Sequence, residues 1–252
     1  MGARTCTSLA LAICVAAMIL ASVAVSGEAE GWAGPQAPPA PDFPVKVALV
    51  LPLSGGAQSY GERIRDGALL VIQDAQAAGW NIQTVIADSE CESAAAADAA
   101  NQVIFTDTVK YIVGAVCSSA SIPISEIAEA NHVLQISPSS TDPQVTKHAD
   151  GTNKEYVFRA CFLDPLQGQS TRSWAGDPRQ VVVDFVQAYS TAYGTQPDIL
   201  AALGYDATGI FLQAIAGAGV DDPLMVKDAI AGIAYEGVTG EVAFDEFGDP
   251  IK

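Results

Sequence analysis

From Val45 onward the hydrophobic positions of the chain follow two alternating rhythms. Short, mainly apolar runs at 45–51, 82–88, 111–116, 133–137 and 157–162 predict β-strands. Between them the spacing turns helical. Over 61–78 it places Ile64, Ala68, Leu69, Ile72 and Ala75 on one face, and 93–107 is an alanine-rich helix with Val103 and Ile104 turned inward. Ser121 is expected to cap the next helix, with Pro123 in its first turn. Strands separated by helices in this way predict an α/β fold: a Rossmann-like parallel sheet with helices on both faces.

The pattern changes after Phe162. Residues 163–177 are polar and punctuated by Gly and Pro, without periodicity. Helical stretches follow at 178–193, 200–218 and 223–233, then a short strand at 240–244 and a turn at 245–249. There is no internal repeat, and four to five βα units make one lobe over 45–252.

Upstream of this lobe the chain reads as an export segment. Arg4 precedes an apolar or small-residue run over 9–25, and both Ser22-Val23-Ala24 and Val25-Ser26-Gly27 satisfy the small-x-small cleavage rule. Residues 1–27 are therefore expected to be a signal peptide; an uncleaved anchor is the alternative, since the run reaches the lower length limit of a spanning helix. Ile13 before Cys14 argues against a lipoprotein site. Residues 28–44 form a spacer whose last eleven positions hold five prolines. The expected location is periplasmic or extracellular.

Charge narrows the partners. Twelve Lys and Arg face 29 Asp and Glu, giving a net charge of −17. A nucleic-acid binder needs cationic surface, so nucleic acid is excluded, and an acidic lipid surface is disfavoured on the same ground. With only two histidines, His132 and His148, no histidine metal centre is expected.

Export also changes how the cysteines read. Cys91, Cys117 and Cys161 remain beyond the signal, and two of the three can pair in an oxidising compartment. Cys91 follows the run at 82–88 and Cys117 the run at 111–116; if those strands are neighbours, their carboxyl ends are close enough to bridge. Cys161, within a strand-like run, is expected to be a buried free thiol.

In an open parallel sheet, ligands bind outside the carboxyl ends of the strands. Two such ends are rich in hydroxyls: Cys117-Ser118-Ser119-Ala120-Ser121 and Ser137-Pro138-Ser139-Ser140-Thr141. Hydroxyls, backbone N–H groups and a helix N-terminus together suit a carboxylate. Capping of helices and turns is the alternative reading of either cluster alone. No Gly-x-Ser-x-Gly elbow, Gly-x-Gly-x-x-Gly loop or phosphate-binding loop occurs, and Asp245, Glu246 and Asp249 lack calcium-loop spacing. No enzyme, cofactor or metal is expected.

The segments KVALVLPLSG with QSYG, YIVGAVCSSAS, ISPSSTDPQVT and FRACFLDPLQGQ, followed by FVQAYSTAYGTQPDILAALGYDA and EGVTGEVAFDEFGDPIK, together resemble the leucine/isoleucine/valine-binding proteins. These are extracytoplasmic receptors of ABC importers with the type I periplasmic-binding-protein fold. The resemblance implies an amino-acid ligand, delivered to an ABC permease of the inner membrane. It implies that Ser118 and Thr141 bind the ligand's carboxylate and ammonium, with the Ser139 carbonyl facing the ammonium and Ser119 and Ser140 flanking. It further implies that Tyr60 and Tyr205 line an apolar pocket and that Cys91 and Cys117 form a disulfide.

The resemblance breaks at one place. Members have two lobes joined by crossing strands, and DPLQG is where the chain passes into the second. Here residues 163–178 form a shortened crossover that leads directly back into first-lobe sequence. About 120 residues, one domain's worth, are missing by this comparison, along with the acidic residue that completes the ammonium site. The expectation is essentially one lobe of a two-lobed flytrap: a shortened, weakly binding receptor whose exposed lobe face favours self-association. The alternative is a ligand-sensing receptor domain for amino acids or amides that feeds a signalling partner.

Overall fold

The computed structural model describes residues 37–161 and 177–251. Its first strand, β1 (Val45–Leu51), lies inside the main sheet, flanked by β2 (Ile82–Asp88) and β3 (Tyr111–Gly114). Beyond β3 come β4 (Leu134–Ser137) and β5 (Val157–Arg159), giving the order β2-β1-β3-β4-β5. Every pairing is parallel, with Val45 opposite Ile82, Val47 opposite Tyr111, Tyr111 opposite Leu134 and Gln135 opposite Val157.

Side chains alternate across a strand, and the sheet uses both faces. Val45, Val47, Leu49 and Leu51 enter one core with Tyr111 and Val113, whereas Ala48, Val50 and Ile112 enter the other. The second face is covered by α2 (Ser93–Asn101) and α3 (Ser118–Ala130), whose Ala96, Ala100, Ala120 and Ala128 are fully buried. The first face is covered by α1 (Gln58–Ala77), α4 (Gln180–Tyr193), α5 (Ile199–Ala218) and α6 (Pro223–Ala231).

Helices α1 and α5 meet through glycine. A Cβ on Gly67 would stand 1.9 Å from the Ala201 carbonyl oxygen, and one on Gly204 would stand 2.2 Å from that of Ile64. Only glycine permits this approach, which brings the backbones together and leaves no room to relax. A small antiparallel sheet, β6 (Tyr235–Gly237), β7 (Gly240–Phe244) and β8 (Pro250–Ile251), ends the described chain. Its hairpin is fastened by the buried Asp206 of α5, which accepts from the Val238 and Thr239 amides at 2.8 Å.

Several expected boundaries move. Helix α3 starts at Ser118, with Cys117 as its N-cap, so Ser121 lies inside the first turn instead of capping it. Strand β3 stops at Gly114, and the helix from Ser93 passes into a π-turn, Gln102–Thr106. Strands β6 and β8 were not foreseen, being three and two residues long. The expected signal peptide at 1–27, most of the expected spacer and most of the expected crossover, with Phe162, lie outside the described residues. The spacer's last residues are laid on the lobe: the Trp80 indole donates to Pro38 O at 2.8 Å, and Ala37 and Phe43 pack against the core.

Candidate functional site

The sheet order places a topological switch point between β1 and β3, because the chain leaves β1 towards β2 and leaves β3 towards β4. Tyr60, in the first turn of α1, follows β1, and Ser118, the first residue of α3, follows β3. The segment after β4 brings Ser139, Ser140 and Thr141 beside them, because β4 pairs with β3. The expected residues other than Tyr205 thus gather at one end of the sheet.

Hydrogen bonds knit the two hydroxyl loops together. Ser118 Oγ accepts from the Asp142 amide at 3.2 Å, and Ser139 Oγ donates to Val116 O at 3.0 Å. Below them lies a buried serine network. Ser121 Oγ and Ser140 Oγ are 2.6 Å apart, the Ala115 amide donates to Ser121 Oγ, and Ser137 Oγ donates to Ala115 O while accepting from the Ser140 amide at 3.1 Å. Ser140 is 1% exposed, so its side chain holds the loops and does not face the crevice. Ser119 is exposed but also engaged: its Oγ donates to Cys91 O, and its carbonyl accepts from Ser93 Oγ, both at 2.8 Å.

Two hydroxyls keep capacity for a ligand. Ser118 Oγ serves only as an acceptor among the described residues, leaving its proton to donate. Thr141 is half-buried and its hydroxyl has no hydrogen-bond partner among the described residues. Both lie beside the first turn of α3, where backbone N–H groups have no partner within the helix and the dipole is positive. Tyr60 is 51% exposed, a ring free to cover an apolar group.

Tyr205 is a correction. It sits 1% exposed on α5, with its ring edge-on to Phe185 at 5.1 Å. Burial, then nearby Tyr235, Asp206, Asp74 and Asp184, raises its hydroxyl well above the usual range. The residue is core, because α5 is buried on nearly every side.

Two anchors steady the crevice. Cys91 and Cys117 form a disulfide with a Cα–Cα distance of 5.5 Å, joining the end of β2 to the N-cap of α3, and Cys161 stays outside that bond as a buried thiol that donates to Ser140 O at 3.3 Å. Asp88 accepts from the Leu53 amide at 2.7 Å and the Glu90 amide at 2.9 Å. Burial pushes that carboxyl upward, but bonds from Ser54, Leu53 and Glu90 outweigh it and hold it below the usual range.

Sequence reasoning missed Arg159, which ends β5 with no exposure, hydrogen-bonds to Ser140 O and Thr146, and forms an ion pair with Asp249. A cavity of about 400 Å³ lies at the opposite end of the sheet, lined by Lys46, Gln83, Thr108, Lys110 and Asp221. Its lysines are engaged, Lys46 with Asp107 O at 2.6 Å and Lys110 with Asp221 at 2.7 Å. Among the described residues no group of His, Cys, Asp and Glu is placed to hold a metal ion.

Comparison with known proteins follows the same lines. The family model described as "Periplasmic binding protein" matches residues 44–176 and 162–251, two blocks that overlap over 162–176. The leucine-, isoleucine-, valine-, threonine- and alanine-binding protein of Pseudomonas aeruginosa is 38% identical over 128 residues, 49% of this chain and 33% of that one. An amino acid binding protein of the same organism is 35% identical over 213 residues, 82% of this chain and 50% of that one. The chain thus spans half or less of the length of these curated relatives. Among solved structures, a leucine binding protein from Thermotoga maritima superposes with a TM-score of 0.74 at 22% identity, covering 82% of this chain and 93% of that one. A branched-chain amino acid transporter substrate-binding protein from Streptococcus pneumoniae, solved with isoleucine, gives 0.70 at 18%, covering 83% and 94%. These likenesses carry the fold, a type I periplasmic-binding-protein lobe.

Proposed function

We propose, since the chain belongs to the periplasmic binding protein family, that it is an extracytoplasmic binding protein for a branched-chain or similar amino acid. On this reading it delivers its ligand to an ABC importer in the inner membrane. The observation that carries the reading is the pairing of Ser118 and Thr141. Two hydroxyls with unused hydrogen-bonding capacity sit at the positive end of α3, at the switch point of a parallel sheet. Ser118 donates to the ligand carboxylate, Thr141 and the Ser139 carbonyl accept from its ammonium, and Tyr60 covers the side chain. Ser119, Ser140 and the Cys91–Cys117 bond hold these groups in place. The relatives named above are binding proteins, and no residue here is asked to perform chemistry.

Binding is expected to be weak. Only fifteen residues, 162–176, connect Cys161 to Asp177, too few for a second lobe of about a hundred residues. A ligand on one lobe stays half exposed, where pockets typically bury about 70–90% of a ligand. Loss of one charge-assisted partner for the ammonium costs about 1.5–3 kcal/mol, roughly 10- to 100-fold in affinity.

Titration calorimetry on the exported chain with leucine, isoleucine, valine, phenylalanine and a short amide tests this. Leucine binding weaker than about 100 μM, lost in Ser118→Ala and Thr141→Val, is the expected result. A folded protein that gives no signal with any amino acid overturns the binding reading. Micromolar or tighter binding overturns the reasoning about the missing lobe.

A further inference from the structure

Arg159 is among the largest fully buried side chains of the described residues, and its positive charge lies under the hydroxyl face. A guanidinium is a planar fork of five donors, so it can fix several segments relative to one another. Here it reaches three. Nη1 donates to Ser140 O at 3.2 Å, Nη2 donates to Thr146 Oγ1 at 2.9 Å, and Nε lies 2.5 Å from Asp249 Oδ1. Thr146 Oγ1 in turn donates to Asp249 Oδ1 at 3.2 Å. Ser140 stands between Ser139 and Thr141, so any shift of its carbonyl moves both neighbours through the chain.

The far end of this contact is also fixed. The turn at 245–249 is closed by Asp245 N to Asp249 O and by Asp249 N to Asp245 Oδ1, each 2.9 Å. It is tied to β5 by Arg159 N to Gly248 O at 3.1 Å. Gly248 has a φ of +71°, and a Cβ there would stand 2.5 Å from Val157 O, so the turn sits against the strand as only glycine allows. A charge removed from water must find all its partners in one geometry to be tolerated. Arg159 therefore specifies the conformation of the segment above it.

We infer that Arg159 is a positioning residue for the ligand-contacting segment Ser139–Thr141, and that through Asp249 it makes the turn at 245–249 part of the site. The inference rests on the amino-acid-binding reading for its consequence in affinity, but not for its consequence in loop order. The Ser140 and Asp142 amides, bonded to Ser137 Oγ and Ser118 Oγ, report loop order directly through hydrogen exchange in the ligand-free protein.

The test compares wild type with Arg159→Met/Asp249→Leu, which replaces the buried pair by apolar side chains of similar size, a change often neutral for stability. Arg159→Lys keeps a charge but not the fork, and Thr146→Val removes one contact, so these two decide the matter if the double variant does not fold. The expected result is exchange at the Ser140 and Asp142 amides at least about tenfold faster, leucine affinity at least about tenfold weaker, and a melting temperature close to wild type. Unchanged exchange at those amides in Arg159→Lys and Thr146→Val overturns the inference. If wild type binds no amino acid, the functional reading fails by itself, and the exchange measurement still decides the role of Arg159.

Discussion

Reducing the Cys91–Cys117 bond, or replacing both residues by alanine, should lower stability while leaving the folded lobe in place. The two residues are separated by 26 positions and their Cα atoms by 5.5 Å, a span a disulfide bridges without moving the backbone. In the chain-entropy treatment, closing a loop of that length stabilises the fold by about 3.5 kcal/mol, by restricting the unfolded chain. Two non-covalent ties cross the same gap, Ser119 Oγ to Cys91 O and Ser93 Oγ to Ser119 O, each 2.8 Å. They persist after reduction, so the native geometry at the start of α3 should survive and the loss should act mainly through the unfolded state. For a lobe of this size each kcal/mol moves the melting temperature by roughly 2–4 °C, so the expected drop is roughly 7–14 °C. Thermal unfolding followed by circular dichroism, with and without a phosphine reductant, measures it, and the alanine pair controls for incomplete reduction. A shift below about 2 °C would show that the loop is already restricted in the unfolded chain. A changed folded-state spectrum would show that the bond, not the serine ties, sets the local geometry.

Two further predictions concern the α1 side of the core. Burial raises the Asp74 carboxyl to about 7, and its Oδ2 is buried without a hydrogen-bond partner among the described residues. The folded protein then holds a proton the unfolded chain has released, so stability should fall as pH rises from about 4 through about 7. Asp74→Asn should remove that slope and be more stable by on the order of 2 kcal/mol at about pH 8, after allowance for partial exposure. Parallel denaturant titrations at about pH 4 and pH 8 check it, and an unchanged slope would place the proton elsewhere. Gly67→Ala should cost about 3 kcal/mol or more, since its Cβ would lie 1.9 Å from Ala201 O with backbone on both sides. Urea unfolding reads this directly, and a cost below about 1 kcal/mol would mean that α1 and α5 can separate freely.

How much of this was legible in the sequence differs by residue. The run from Val45 to Leu51 reveals a strand because all but Lys46 is buried, whereas Ile82 to Asp88, at the sheet edge, mixes apolar and polar residues and exposes Gln83 and Ile86. The disulfide runs from the end of β2 to the segment after β3, two strands that flank β1 without pairing with each other, an arrangement set by tertiary pairing that no local pattern records. Within Ser139-Ser140-Thr141 the sequence offers three hydroxyls in a row, and only the fold decides that Ser140 turns inward to Ser121. Tyr205 was misplaced because α5 is apolar nearly all round, so no face of it reads as a pocket wall. Arg159 was missed because its partners, Ser140, Thr146 and Asp249, are scattered, the last lying 90 positions away. A charge inside an apolar strand run was the available signal, since such a charge is tolerated only when paired.

The electrostatics of the lobe bear on which ligands the proposed site would admit. A net charge of −17 sets up long-range repulsion for any anion approaching the surface. The buried guanidinium of Arg159, under the hydroxyl face, is neutralised at close range by Asp249. The remaining attraction for a carboxylate is the first turn of α3 and the Ser118 hydroxyl, which act only within a few ångströms. A zwitterion with an uncharged side chain feels little of the long-range field and all of the short-range one. A dicarboxylate feels both, and the repulsion acts first and over a greater distance. On the reading proposed here, the acidity of the protein therefore works as a filter, favouring neutral amino acids before side-chain shape is sensed by Tyr60.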